Sequence, residues 1–130
     1  MTENGMRAFA KGFFDAIEQG GIAATKACVT PDAPIWHNND ERVVTPDDTA
    51  MLLAAMVARI GGRRHADRRV AIFPGGFVQQ YVPGGGRVHY GGAVRLACAI
   101  VRRVEDGGIT RLDEYFDSAH VAAFGRHANA

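Results

Sequence analysis

The sequence has little cysteine and no long apolar run. Its two cysteines, Cys28 and Cys98, lack the spacing of metal ligands, so we interpret both as small core residues rather than as a disulfide. No stretch approaches the roughly 18 consecutive apolar residues that a membrane-spanning helix needs. The first residues lack the basic segment and apolar stretch of a secretory signal. We therefore expect a soluble, cytoplasmic protein without a membrane partner.

A strong net charge is also missing. The chain carries a formal charge of +1 at pH 7, which gives no overall electrostatic reason to bind nucleic acid. Arginines nevertheless crowd around His65, at positions 63, 64, 68 and 69. We interpret this cluster as a solvated strand face or loop, with an anion-binding patch as the alternative. The length of 130 residues and the hydrophobic fraction of 47% fit one domain over residues 1–130.

Hydrophobic periodicity separates a helical first half from a strand-rich second half. The predicted helices cover residues 6–17, 22–29, 46–60 and 118–124, and the predicted strands cover 33–39, 65–73, 77–82, 88–104 and 109–116. Thr45 and Ser118 are the expected helix caps. Segments rich in proline and glycine at 74–76, 83–86 and 105–108 predict short turns, and Gly91-Gly92 predicts a bend.

This order of elements predicts the α+β class. Helices come first and consecutive antiparallel strands follow, so we expect a curved, mainly antiparallel sheet wrapped by the N-terminal helices. A strongly curved sheet of this kind leaves a cone-shaped internal cavity. On the last strand Leu112, Glu114 and Phe116 share one face. If that face points inward, Glu114 lies among apolar neighbours, which favour the protonated form that a proton donor needs.

Two local patterns carry a family resemblance. Residues 107–117, from Gly107 through Glu114 and Tyr115 to Asp117, resemble the end of the last strand in SnoaL-like and epoxide-hydrolase-like proteins. Trp36-His37-Asn38 is similar to the aromatic-x-Asn segment of the same proteins. The chain thus resembles the nuclear transport factor 2-like superfamily, which includes ketosteroid isomerases, limonene epoxide hydrolases, scytalone dehydratase and SnoaL-like polyketide cyclases. The resemblance implies the cone-shaped fold over nearly the whole chain.

The resemblance to epoxide hydrolases implies only part of their water-activating group. Their first-strand tyrosine and asparagine correspond to Trp36 and Asn38, so the amide is kept and the hydroxyl is lost. Their arginine and aspartate on a middle strand align most nearly with Gln79 and Tyr81. Only Glu114 matches a carboxylate, and the resemblance therefore implies that the ionic relay is absent.

The resemblance to ketosteroid isomerases places His37 at the position of the general base. The hydrogen-bond donors of those enzymes correspond to Phe13 and about Ala99, and neither of these side chains can donate. SnoaL-like cyclases use a carboxylate near the last strand, which Glu114 would supply, with Asp117 as the alternative if the register shifts.

The face of the first strand that points inward stays open. The Trp-His-Asn motif places Trp36 and Asn38 in the cavity, whereas the distance from Asp32 places Ile35 and His37 there, because a shift of one residue exchanges the two faces. Tyr81 is a further hydroxyl donor to a ligand carbonyl or a packing residue. No metal site is predicted, because the other histidines lack companions at ligand spacing.

Two functions compete on this basis. The first is a cofactor-independent isomerase, cyclase, hydrolase or lyase that acts on a small hydrophobic, oxygenated molecule. Its catalytic residues are predicted to be Glu114, His37, Asn38 and Tyr81, and its substrate contacts are Trp36, Phe13, Gln79, Leu112 and Phe116. The second is a non-catalytic ligand-binding or dimerisation module of the same fold. Apolar residues on both faces of the strand over 88–104 also predict a homodimer.

Overall fold

The computed structural model describes residues 1–88 and 92–128. It contains the helices α1 (Glu3–Glu18), α2 (Ile22–Ala27), α3 (Pro46–Arg59) and α4 (Ser118–Ala128). Its strands are β1 (Ile35–His37), β2 (Val43–Val44), β3 (Ile60–Phe73), β4 (Gly76–Arg87), β5 (Ala93–Arg95), β6 (Cys98–Glu105) and β7 (Gly108–Phe116).

The strands form one mixed sheet in the order β2-β1-β7-β6-β4-β3, and β5 pairs with β4 beside this path. The pair β1–β7 is parallel and the other pairs are antiparallel. Register shifts in the β3–β4 pair lie between Gly61 and Arg64 and between Ala66 and Arg69, and such bulges bend a strand. The predicted α+β architecture with a curved, mainly antiparallel sheet is confirmed.

Helix α1 covers the inner face of this sheet. The Thr2 side chain accepts a hydrogen bond from the Gly5 amide at its start, and its buried face carries Met6, Ala10, Phe13 and Phe14. These side chains join one core cluster with residues of β1, β4, β6 and β7. The core therefore lies between α1 and the concave side of the sheet.

The predicted start of α3 is confirmed in detail. The Thr45 hydroxyl accepts from the Asp48 amide, and the Asp48 carboxylate accepts from the Thr45 amide, which forms a capping box. The end of α3 differs from the prediction because Ile60 is already extended and Gly61-Gly62 belongs to β3. The glycines accommodate the bulge at the start of that strand rather than a turn.

Several other boundaries also differ from the sequence prediction. Residues 83–86 are not a turn, because they continue β4 between β3 and β5. The long strand over 88–104 is divided into β5 and β6, and part of the Gly91-Gly92 bend lies outside the described residues. The short strand β2 was not predicted. Helix α4 continues past residue 125 to Ala128. The Asp117 carboxylate, rather than Ser118, caps its start.

Some side chains of the arginine cluster contact helix α1 and others face solvent, as the alternation of side chains along a strand predicts. Arg68 binds Asp15 at 2.6 Å and Glu18 at 3.4 Å, whereas Arg64 and Arg69 are exposed. The neighbouring His65 packs edge-on against Phe14, and burial lowers its pKa to about 4. The cluster thus anchors the C-terminal half of α1 to β3.

We predict that Gly76→Ala destabilises the protein by about 1–3 kcal/mol, because the added methyl group would overlap the Arg102 carbonyl oxygen and the Phe73 ring. Gly86→Ala on the same strand is the matched control, since a Cβ there has no neighbour within 4 Å. Urea unfolding of both variants measures the difference. Equal midpoints for the two variants would contradict the close packing of β4 against β6.

Candidate active site

The inner face of the sheet brings side chains from four strands into line, and three of them are polar. Backbone register places Gln79 opposite Ile100, Ile100 opposite Glu114, and Glu114 opposite His37. Because side chains at paired positions lie on the same face of a sheet, these four residues form one cross-strand row. We call them the inner row. Strand alternation had predicted only the Glu114 part of it.

His37 and Glu114 are in direct contact in this row. His37 Nε2 lies 2.8 Å from Glu114 Oε2, and the two side chains are 14% and 16% exposed. The imidazole ring also stacks on Phe116, with ring centroids 5.7 Å apart. The hydrogen bond to Glu114 raises the pKa of His37, while burial acts in the opposite direction. The pair thus holds a proton close to solvent.

Arg102 is the member of the site that sequence reasoning missed. Its Nη2 atom lies 3.6 Å from Glu114 Oε1, and its side chain is only 1% exposed. The guanidinium lies over the Phe13 ring at 5.2 Å and the Phe14 ring at 5.5 Å, which are cation–π distances. Burial lowers the pKa of Arg102, and the Glu114 carboxylate opposes that shift. Glu114 thus has a permanent cation as its neighbour.

Two expectations from the sequence are corrected by this arginine. Glu114 does not lie among apolar neighbours alone, since Arg102 and His37 flank it. The resemblance implied that no arginine accompanies the carboxylate, but the structure contains one. It lies on β6, and not on β4 at the positions of Gln79 and Tyr81. The signal was available, because alternation from Cys98 and Ile100 along β6 leads directly to Arg102.

The inward face of β1 carries Ile35 and His37. Ile35 pairs with Leu112, and both are almost fully buried. Trp36 lies on the opposite face and packs against Tyr115, with ring centroids 5.4 Å apart. This placement separates Trp36 from the inner row and does not support its expected contact with the same ligand.

Asn38 has a structural environment at the end of β1. Its side-chain oxygen accepts from the Phe116 amide at 2.8 Å, and its side-chain nitrogen donates to the Phe116 carbonyl at 3.3 Å. The amide therefore extends the ladder between β1 and β7 beyond the last backbone pair. It holds Phe116 and, through it, the imidazole that stacks there.

Tyr81, which was predicted as a catalytic donor, lies deep in the core. Its ring contacts Phe14 and His65, with centroids 5.0 Å away in each case. Burial raises its pKa well above the usual value and raises that of the adjacent Cys98 thiol to about 12. Both groups are thus neutral near pH 7, and the packing interpretation fits Tyr81.

The remaining predicted contacts face the concave side. Phe13 and Leu112 are 2% and 3% exposed and belong to the core cluster. Gln79 is 1% exposed, and its Nε2 atom has no hydrogen-bond partner among the described residues. Gln79 and Leu112 thus lie on the sheet face of Glu114, and Phe13 packs against this face from α1.

The described cavities do not coincide with the inner row. A groove of about 380 Å³ runs over the outer face of the sheet, between Arg69 and Gln80 on one side and Tyr115 on the other, with Ala97 and Ala99 between them. A small cavity of about 20 Å³ lies beside Leu53 and His65. The internal cavity at Glu114 stays a prediction, as does the homodimer on the outer face.

Two other classes of feature are absent over residues 1–88 and 92–128. No three side chains of His, Cys, Asp or Glu come together there as a metal ion would require. Within the same residues, no helix has the length and apolar character to cross a membrane. Cys28 and Cys98 are both free thiols.

Comparisons with known proteins agree with this architecture. A family model described as a SnoaL-like domain matches residues 10–112. No curated protein matches the sequence. A nuclear transport factor 2-like protein of unknown function from Burkholderia pseudomallei K96243 is 18% identical over 100% of both chains, with a TM-score of 0.75.

Two further solved structures share the fold at low identity. A candidate polyketide cyclase from Pseudomonas putida KT2440 is 16% identical, with a TM-score of 0.74 over 88% of this chain and 93% of its own. AclR, a candidate hydroxylase from Streptomyces galilaeus, is 10% identical, with a TM-score of 0.83 over 96% of this chain and 98% of its own. These likenesses show the nuclear transport factor 2-like fold.

We predict that an NMR pH titration gives His37 a pKa above the usual 6.5 and that Glu114→Gln lowers this pKa. The variant removes the largest interaction that raises this pKa. Asp40 still raises the pKa of His37, whereas burial and Arg102 lower it. The stability from a raised histidine pKa is full below about pH 6.5 and is lost as the pH rises through the folded value. Urea unfolding across that range should therefore show this loss in the wild type and little of it in the variant.

His65 is the internal control for the same titration. Burial lowers its pKa to about 4, and Glu114 does not contribute to this shift. It should titrate alike in both proteins. An unchanged His37 titration in Glu114→Gln would contradict the hydrogen bond.

Proposed function

The chain belongs to the SnoaL-like domain family of the nuclear transport factor 2-like superfamily, and on that premise we propose that it is a cofactor-independent enzyme that transfers protons on a small, hydrophobic, oxygenated substrate. The candidate polyketide cyclases among the similar structures support this class of substrate. Because this fold hosts many chemistries, the residues of the site have to carry the argument.

The observation that carries the proposal is the contact of 2.8 Å between His37 and Glu114. The carboxylate engages Nε2 of the imidazole, so Nδ1 is the nitrogen that would take up a proton from a substrate. A carboxylate bound to one ring nitrogen orients the ring and stabilises the imidazolium that forms when the other nitrogen takes up a proton. His37 is thus the general base and Glu114 is the group that activates it.

Arg102 gives this pair a fixed position. The Glu114 side chain has three rotatable bonds, and the guanidinium at 3.6 Å restricts the position of its carboxylate. The Phe13 and Phe14 rings restrict the guanidinium in turn. Holding the catalytic groups in place before the substrate arrives lowers the entropic part of the activation barrier.

The reaction begins at a carbon next to a carbonyl group. Nδ1 of His37 removes a proton from this carbon, the C–H electron pair forms a C=C bond, and the carbonyl electron pair moves onto the oxygen to give an enolate. Return of a proton from His37 to the same or another carbon completes an exchange or an isomerisation. In a cyclisation the enolate carbon instead attacks a second carbonyl carbon of the same molecule, the π electrons of that C=O bond move onto its oxygen, and the resulting alkoxide takes the proton from His37. No cofactor takes part in any of these steps.

We predict that the wild-type protein accelerates exchange of the α-hydrogens of 2-tetralone for deuterium in D₂O, and that Glu114→Gln lowers this rate by about 10²–10⁴-fold. The wild-type rate should rise as the pH increases through the raised pKa of His37, because only the neutral imidazole accepts a proton. Mass spectrometry of the recovered ketone measures the exchange.

Asp113→Asn is the matched control for this measurement. It makes the same change of carboxylate to amide one residue away, on the opposite face of β7, where Asp113 binds Arg111. We expect it to leave the rate within about 2-fold of the wild type, as a surface substitution away from the site should. Equal rates for Glu114→Gln and the wild type would refute the role of Glu114.

The second candidate is the ligand-binding or dimerisation module. It is favoured by the position of the larger described cavity, which lies on the outer face and is not lined by His37, Glu114 or Arg102. On this alternative the buried ion pair serves stability, and the outer face with Tyr115 binds a second copy of the chain. Binding of 2-tetralone without exchange, together with a dimeric mass by light scattering, would support it over the enzyme.

A further inference from the structure

The small cavity beside Leu53 and His65 is lined by two side chains that each have a buried, unpartnered polar atom. Arg63 and His65 border it together with residues of α1, α3 and β4. Arg63 Nε and His65 Nδ1 are both buried, and neither has a hydrogen-bond partner among the described residues. A buried polar atom without a partner destabilises a protein, so most such atoms in folded proteins have one. Two of them beside one cavity indicate a small polar ligand.

The small cavity adjoins a bulge at the start of β3. The register of β3 with β4 shifts between Gly61 and Arg64, so that two residues, Gly62 and Arg63, oppose a single residue of β4. Gly62 has a φ of +58°, in the left-handed region that glycine adopts without strain. A bulge leaves its extra residue outside the regular ladder and bends the strand. The bulge thus places Arg63 at the cavity instead of within a regular strand pair.

The guanidinium of Arg63 is held in place by its two terminal nitrogens. Nη1 donates to the Ile60 carbonyl at 3.0 Å, and Nη2 donates to the Glu18 carbonyl at 3.4 Å. Because a guanidinium is planar, these two bonds also fix the direction of the Nε–H group. Nε–H is therefore an oriented donor that has no acceptor among the described residues.

The imidazole of His65 is also held in place and is neutral near pH 7. Its ring packs edge-on against Phe14 and Tyr81, with centroids 6.3 Å and 5.0 Å away. Burial, followed by the positive charge of Arg68, lowers its pKa to about 4. In a neutral imidazole one nitrogen donates and the other accepts. Nδ1 therefore needs a partner in either tautomer.

The size and the chemistry of the site together select a single water molecule. A water needs roughly 10–15 Å³ of such space, so a cavity of about 20 Å³ holds one water and no organic molecule. The positive charge of Arg63 excludes a metal cation. An anion accepts from Arg63 but cannot donate to a neutral imidazole nitrogen. A water both accepts and donates, and so it pairs with His65 in either tautomer.

We propose that one buried water molecule bridges Arg63 Nε and His65 Nδ1 in the small cavity and is a permanent part of the folded protein. Buried waters make about three hydrogen bonds on average. Ile60 lines the same cavity, and its carbonyl oxygen has a second lone pair for the third bond. The inference does not depend on the proposed function, because neither His37 nor Glu114 lines this cavity.

A crystal structure that resolves ordered waters tests the position directly. Density for one water should lie about 3 Å from both Arg63 Nε and His65 Nδ1. In solution, a nuclear Overhauser cross-peak should connect a long-lived water with the ring protons of His65. Arg63→Met should weaken this cross-peak, because the water loses one partner. An empty cavity, an ion in it, or a direct hydrogen bond between Arg63 and His65 would each overturn the inference.

A double-mutant cycle measured by urea unfolding at pH 7 gives a second readout. Arg63→Met and His65→Phe each remove one partner of the water and keep a side chain of similar size. Since the same water depends on both partners, the double variant should lose less stability than the sum of the two single losses. Additive losses would mean that the two side chains do not share a water, and would overturn the inference.

Arg68→Met combined with His65→Phe is the matched control cycle. Arg68 is also an arginine of β3 near His65, but its guanidinium binds Asp15 and Glu18 and does not line the cavity. Because the imidazole is neutral at pH 7, the losses in this cycle should be additive. Equal coupling in the two cycles would trace it to packing among neighbours and would also overturn the inference.

Discussion

The positive charge of Arg102 is the constraint on which the inner face of this protein depends. A guanidinium that is 1% exposed has lost nearly all its hydration, and only a nearby carboxylate and polarisable neighbours offset that loss. Glu114 supplies the carboxylate, and Phe13 and Phe14 supply the ring faces. Removal of either kind of neighbour would leave a charge in the core. The helix, the strand β6 and the strand β7 are therefore coupled through one side chain.

The parallel pairing of β1 with β7 adds the imidazole to this arrangement. Parallel strands pair less strongly per residue than antiparallel ones, and β1 has only three residues. Asn38 compensates by binding both backbone groups of Phe116, which extends the pairing past His37. The imidazole is then enclosed between Glu114 and the Phe116 ring. A short strand between β2 and β7 thus holds the histidine of the site, the residue type whose ordinary pKa lies closest to physiological pH.

Much of the fold was predictable from local patterns. The helical periodicity of α1, the cap of α3 at Thr45 and the alternation on β7 each depend on residues close together in the chain, and all three are confirmed. The wrong predictions concern glycines, because glycine is common both in turns and in bulges within strands. Gly61-Gly62 and residues 83–86 suggested turns because glycine favours them, yet here glycine permits bulges and close strand contacts within β3 and β4. Which use applies depends on the neighbouring strand.

The sequence by itself determined the α+β class, the resemblance to its family and the shared face of Leu112, Glu114 and Phe116 on β7, because each follows from short-range spacing or a local motif. The tertiary structure decided that this face points inward. Only the tertiary structure decided what Glu114 contacts. Arg102 lies beside it through the register of β6 with β7, and His37 through the parallel pairing of β1 with β7. The phenylalanine rings of α1 pack against Arg102. His37 and the rings of α1 are far from Glu114 and Arg102 in sequence, and no local pattern encodes these contacts, because the groups meet only when the sheet curls around the helix.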